Sequence, residues 1–102
     1  MKRRQVKLTQ TAQDDLVGLE IWLENAAGKL TARRYVDRLI DFCNELDLAS
    51  ERGTQRHDLL TGLRIVGFER RVTIAFAVHD DRVDVLRIFR AGRDWEAEFE
   101  GE

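Results

Sequence analysis

Seven arginines, Arg64, Arg70, Arg71, Arg82, Arg87, Arg90 and Arg93, fall between Gly62 and Glu96, and they are the side chains best equipped here for chemistry. A guanidinium fork grips phosphate or carboxylate through paired hydrogen bonds. It stays protonated under ordinary conditions, so it stabilises charge but cannot act as a general base. Proton transfer would fall to His57, in the loop sequence RHDLL, or to His79, beside Asp80 and Asp81. Imidazole titrates near neutrality, yet neither histidine has a His or Cys neighbour to form a metal pair. Both read first as surface or loop residues. The single cysteine, Cys43, rules out an internal disulfide and falls on an apolar helix face, where an inert buried thiol is expected. No lysine follows Lys29, and no metal-ligand spacing, phosphate-cradling glycine loop or Ser/His/Asp arrangement is visible. Arginines at these positions would suit a pentavalent phosphate, but partners for proton transfer are hard to find. The expectation is a binding surface with no catalytic residue, no metal and no cofactor.

The elements that position these arginines follow from hydrophobic period. Apolar residues alternate through residues 63–68, 71–79 and 82–89, which predicts three strands with one covered face. In the middle strand Val72, Ile74, Phe76 and Val78 share one side, and Arg71, Thr73, Ala75, Ala77 and His79 share the other. The side turned from the core is expected to be open, with Arg64, Arg71 and Arg93 gathered near one concave surface. Upstream, residues 5–8 alternate and predict an edge strand. Thr9 is a suitable helix cap, after which Ala12, Leu16, Leu19, Leu23 and Ala26 form an apolar stripe. Asp14 and Asp15 are placed in the first turn, where the helix dipole favours acids, and Gly28 ends the helix. Thr31 is the expected cap of a second helix, whose apolar face is Ala32, Tyr35, Val36, Leu39, Cys43 and Leu46. The short joint predicts an antiparallel hairpin. The fold class is therefore α+β: an N-terminal strand, then an antiparallel helical hairpin packed on a small twisted antiparallel sheet (β-α-α-β-β-β). Residues 1–95 form the expected domain, and residues 96–102 an acidic C-terminal tail.

At 102 residues, 43% hydrophobic and 35% charged, the chain is sized for one domain. No apolar run approaches the ~20 residues that span a bilayer, and MKRRQVKLT lacks the apolar stretch of a secretory signal, so a cytoplasmic protein is expected. The formal net charge of −2 is unevenly spread. Residues 52–93 hold 9 basic and 5 acidic side chains, and residues 94–102 hold five acids and no base. The strand region is thus locally cationic and suits a phosphate-rich or acidic protein partner. The low overall charge speaks against a dedicated nucleic-acid coat. Trp22 lies one position off the apolar stripe, which suits core packing or a half-exposed partner anchor. Trp95 is placed over the sheet edge, and the acidic tail after it is a candidate shield for the arginines.

The order of these features resembles the ParE/RelE superfamily of toxins from bacterial type II toxin–antitoxin modules, the ParE branch most of all. The residues that carry the resemblance are Leu8-Thr9 at the end of the first strand and Asp15-Leu16 with Ile21-Trp22 in the first helix. Ala32 and Tyr35 with Leu39 and Phe42 follow in the second helix, then Gly62-Leu63-Arg64, and Val85 to Phe89 in the last strand. The resemblance implies a toxin that poisons DNA gyrase and blocks replication, silenced by a cognate antitoxin with which it forms a hetero-oligomer. The alternative it carries is a ribosome-dependent mRNA endonuclease of the RelE type. Arg64, Arg71 and Arg93 match basic sites of that branch, but its lysines are missing and Trp95 and Phe99 stand where a C-terminal Tyr or His would be. The expected target-binding set is Arg64, Arg71, Arg87, Arg90 and Arg93. The expected antitoxin contacts are Leu16 and Trp22 beside the hairpin, with Val6 and Leu8 on the edge strand.

Overall fold

The computed structural model describes residues 4–48 and 50–99. Strand β1 (Gln5–Leu8) leads into helices α1 (Gln10–Ala27) and α2 (Lys29–Asn44) and a 3-10 turn at Glu45–Asp47. A two-residue strand β2 (Thr54–Gln55), strands β3 (Leu63–Phe68), β4 (Val72–Val78) and β5 (Arg82–Arg90), and a second 3-10 turn at Trp95–Phe99 complete it. The five strands form one sheet in the order β1-β5-β4-β3-β2, with the helical hairpin packed on it. This is the α+β architecture that the hydrophobic period predicts.

Thr9 caps α1: its hydroxyl accepts the Ala12 amide at 3.1 Å and donates to the Leu86 carbonyl at 3.0 Å. One residue therefore closes the helix start and ties it to the last strand. Asp14 and Asp15 stand one turn further in than expected, because the helix begins at Gln10 and its first turn holds no acid. Gly28 adopts φ 92 and ψ 162, a backbone region open essentially to glycine alone. It ends α1 and starts α2 at once, so Thr31 lies inside the second helix and caps nothing. A single residue makes the reversal, which leaves no linker for a side-chain cap to occupy.

The β3–β4 and β4–β5 ladders are antiparallel, whereas β1 joins β5 in parallel, Gln5 opposite Arg82 to Leu8 opposite Val85. Ala75 faces Arg87 but Phe76 faces Val85, so Leu86 is the extra residue of a bulge. Past the bulge β5 outruns β1, and its free edge at Ile88 runs beside α1.

One sheet face, with Ile74, Phe76, Val83, Val85 and Ile88, closes on Leu16, Leu19, Leu23, Tyr35, Val36 and Leu39, all 9% exposed or less. The expected open face is covered. Leu63, Ala75 and Phe89 are buried on it beneath Leu59, Trp95 and Phe99, and the Phe89 and Phe99 rings meet edge to face at 6.3 Å. Leu63, Ile65, Ala75 and Phe89 make most of it apolar, and such a surface in water costs about 25 cal/mol per Å². That cost is avoided by folding the segment after β5 back over it. The 3-10 turn at Trp95–Phe99, which takes in the first residues of the expected acidic tail, packs on this face, and residues 100–102 lie outside the described residues. No helix among the described residues is long and apolar enough to cross a membrane.

Candidate partner-binding face

The arginines expected to gather on the sheet separate into those bound to their own chain and those left available. Arg87 is bound. Its guanidinium donates twice to Asp15 of α1, at 2.8 and 3.2 Å, and the same carboxylate accepts the Ile88 amide at 2.9 Å. Asp15 thus satisfies a donor on the edge of β5, which has no strand partner there among the described residues. The Asp15 bond is also the main cause that raises the Arg87 pKa above its ordinary value. Arg64 is bound as well: it donates to the carbonyls of Glu51, Arg52 and Gly53 and pins the segment before β2. Arg64 pairs with Phe76, four residues along β4 from Val72, so it stands ~14 Å from the other end of the sheet. Arg93 pairs with Glu98 at 3.0 Å, and the same glutamate lies 3.7 Å from Arg87.

Arg71 and Arg90 remain. They flank the β4–β5 ladder at the end away from its turn, where Val72 faces Arg90 and the Ala91 amide donates to the Arg71 carbonyl at 2.7 Å. Among the described residues neither makes an ion pair. The Arg90 guanidinium instead lies over the Trp22 ring, 4.5 Å from its centroid, an arrangement favourable by about 0.5–1 kcal/mol at an exposed site. Trp22 is 47% exposed, so it stands outside the core, the half-exposed placement of the two its position allows. Val17 and Ile21 on the same helix are 60% and 55% exposed. Their i, i+4 spacing, next to Trp22, makes a second apolar line beside the buried stripe, and that line is the signal in the sequence for this surface.

Beneath Trp22 lies a cavity of about 150 Å³, bordered also by Leu19, Leu23, Tyr35, Arg71, Val72, Arg90 and Ala91. The Tyr35 hydroxyl is buried without a hydrogen-bond partner among the described residues, and burial pushes its pKa up. A wider cleft continues along α1 past Asp14, Gly18 and Ile21 to Arg93. The remaining expected antitoxin contacts lie deeper. Leu16 is 9% exposed within the core, while Val6 and Leu8 are half-buried against it on the edge strand β1.

Two arrangements are not legible from the sequence. The His79 imidazole lies 3.2 Å from Asp84, whose carboxylate also accepts from Arg82 at 3.2 Å. This His–Asp–Arg group sits at the β4–β5 turn, six residues along β4 from Val72 and so ~20 Å from Arg71 and Arg90. Arg56, in the loop before β3, stacks on Trp95 at 5.3 Å and bonds Asp58 at 2.9 Å and Glu96 at 2.6 Å. Alternation within strands reveals neither, because both depend on a turn or a returning segment. His57 acts locally, its Nδ1 accepting the Gly62 amide at 3.1 Å. Cys43 is buried, which pushes its thiol up to about 12.

A family model described as the ParE toxin of the type II toxin–antitoxin system, parDE, matches residues 6–95. No curated protein sequence matches the chain. Among solved structures, the chromosomal ParDE toxin–antitoxin system from P. aeruginosa is 24% identical with a TM-score of 0.75, over 86% of this chain and 96% of that one. The toxin–antitoxin complex RelBE2 from Mycobacterium tuberculosis is 19% identical with a TM-score of 0.66, over 91% and 97%. A conserved hypothetical protein from Helicobacter pylori is 18% identical with a TM-score of 0.54, over 88% and 97%. At these identities the likeness is one of fold.

Proposed function

Because the chain belongs to the ParE toxin family of type II toxin–antitoxin systems, we propose that it arrests growth in the cytoplasm by binding DNA gyrase, and that a cognate antitoxin neutralises it within a hetero-oligomer. The observation that carries this reading is the face of α1 on which Val17, Ile21 and Trp22 stand exposed beside Arg90 and Arg71. Tryptophan and arginine are the residues that most often dominate protein–protein binding energy. Here they are prepositioned on one rigid helix and the adjoining strand end. Of the five target-binding arginines, Arg71 and Arg90 make the contact; Arg64, Arg87 and Arg93 hold the scaffold that presents them.

Antitoxin binding is supported by the P. aeruginosa and M. tuberculosis structures, which are of a ParDE system and of a toxin–antitoxin complex. In this reading Trp22 is the side-chain anchor. The edge strand β1 contributes backbone groups rather than Val6 and Leu8, and Leu16 supports α1 from within. A gyrase supercoiling assay tests the target: purified protein is expected to inhibit supercoiling, and undiminished activity at stoichiometric excess would refute the reading.

The His79–Asp84 pair beside Arg82 favours a second reading, a ribosome-dependent mRNA endonuclease. A carboxylate-oriented imidazole can relay a proton, and a guanidinium can hold phosphate. Transcript ends mapped after induction decide it. New ends that vanish with His79→Ala would support cleavage, whereas none in the wild type would dismiss it.

A further inference from the structure

The cavity under Trp22 combines features that together describe a ligand. It holds about 150 Å³, the size of an engineered cavity that accepts benzene, so a leucine or phenylalanine side chain fits. Its walls are mainly apolar, from Leu19, Leu23 and Val72. Arg71 and Arg90 border it without a carboxylate partner among the described residues, whereas Arg33, Arg38, Arg56, Arg82, Arg87 and Arg93 each hold one. Tyr35, 6% exposed, also borders it, its hydroxyl shut off from solvent and without a partner among the described residues.

The geometry points to a pocket for an apolar side chain with an acidic residue beside it, presented by a partner polypeptide. The apolar group fills the cavity. The carboxylate bridges Arg71 and Arg90. This rests on the reading that the α1 face meets a partner protein, and it specifies the chemistry that the face selects. Charge complementarity decides for a peptide of this kind over a wholly apolar one, since the latter would leave two guanidiniums without a carboxylate.

Blocked dipeptides provide the probe: N-acetyl-Leu-Glu-amide and its neutral counterpart N-acetyl-Leu-Gln-amide, titrated into the ¹⁵N-labelled protein. Shift changes are expected at residues 19–23, 35, 71–72 and 90–91. The Glu peptide should bind roughly 5- to 10-fold more tightly, the effect of about 1 kcal/mol from charge-assisted bonds at a partly exposed site. The double variant Arg71→Gln/Arg90→Gln should erase that preference while the apolar contact persists. Equal binding of the two peptides, shifts confined to other surfaces, or no binding at about 20 mM peptide would overturn the assignment. Gyrase does not enter this experiment, so an inactive supercoiling assay and a failed titration are separate results.

Discussion

Asp15 and Arg87 show how little a side chain's type says about its role. The arginine belongs to the cationic stretch that suggests a binding surface, and the aspartate to a helix start. Their two hydrogen bonds join positions 72 residues apart, and no local pattern announces such a pairing. Both side chains are mostly shielded, 22% and 17% exposed, so Asp15→Ala should cost about 2–3 kcal/mol in urea unfolding by leaving Arg87 and the Ile88 amide without their acceptor. Arg87→Met combined with Asp15→Ala should cost less than the sum of the two single losses, because both variants break one contact. Cys43 offers a second check at this scale. Its folded pKa of about 12 lies above the ordinary 9, so the proton is held in the folded state to higher pH than in the unfolded one. That contribution is intact below pH 9 and falls away as pH rises from 9 to 12. Native protein at about pH 8 should accordingly react with iodoacetamide far more slowly than protein unfolded in urea, and equal rates would show the thiol to be accessible.

Helices and strands are largely legible because burial on one side imposes a period. The stripe from Ala12 to Leu23 and the alternation from Val72 to Val78 appear where the sequence places them. Joints and covers are harder to read. Gly28 looks in the sequence like the end of one helix, but its conformation makes it the whole connection. Gly28→Ala should therefore lower stability by roughly 2 kcal/mol, or about 10 °C in Tm for a domain this size, by calorimetry. Trp95 lies over the sheet as its place after the last strand predicts, but the acidic composition of the turn at Trp95–Phe99 masks Phe99, which reaches the sheet beside it. Phe99→Ala should cost about 2 kcal/mol in denaturant by uncovering Phe89. The parallel docking of β1 depends on which strand lies at the sheet's edge, a long-range choice that alternation cannot encode.

The whole molecule joins a firmly bolted scaffold to a small unpaired surface. Arg64, Arg87 and Arg93 are held by carbonyls and carboxylates of their own chain, while Arg71, Arg90 and Trp22 converge at one end. Residue type and order point to a partner-binding protein, but only the fold sorts the structural arginines from the available ones. The most direct measurement is gyrase supercoiling titrated in parallel with wild-type protein and with Arg71→Glu/Arg90→Glu, a variant chosen because neither side chain makes an ion pair among the described residues. Wild type should inhibit, and the double variant, folded by circular dichroism and equal in Tm within a few degrees, should require at least ~10-fold more protein, about 1.4 kcal/mol of lost contact. A variant as potent as wild type, or a wild type without effect, would contradict the account.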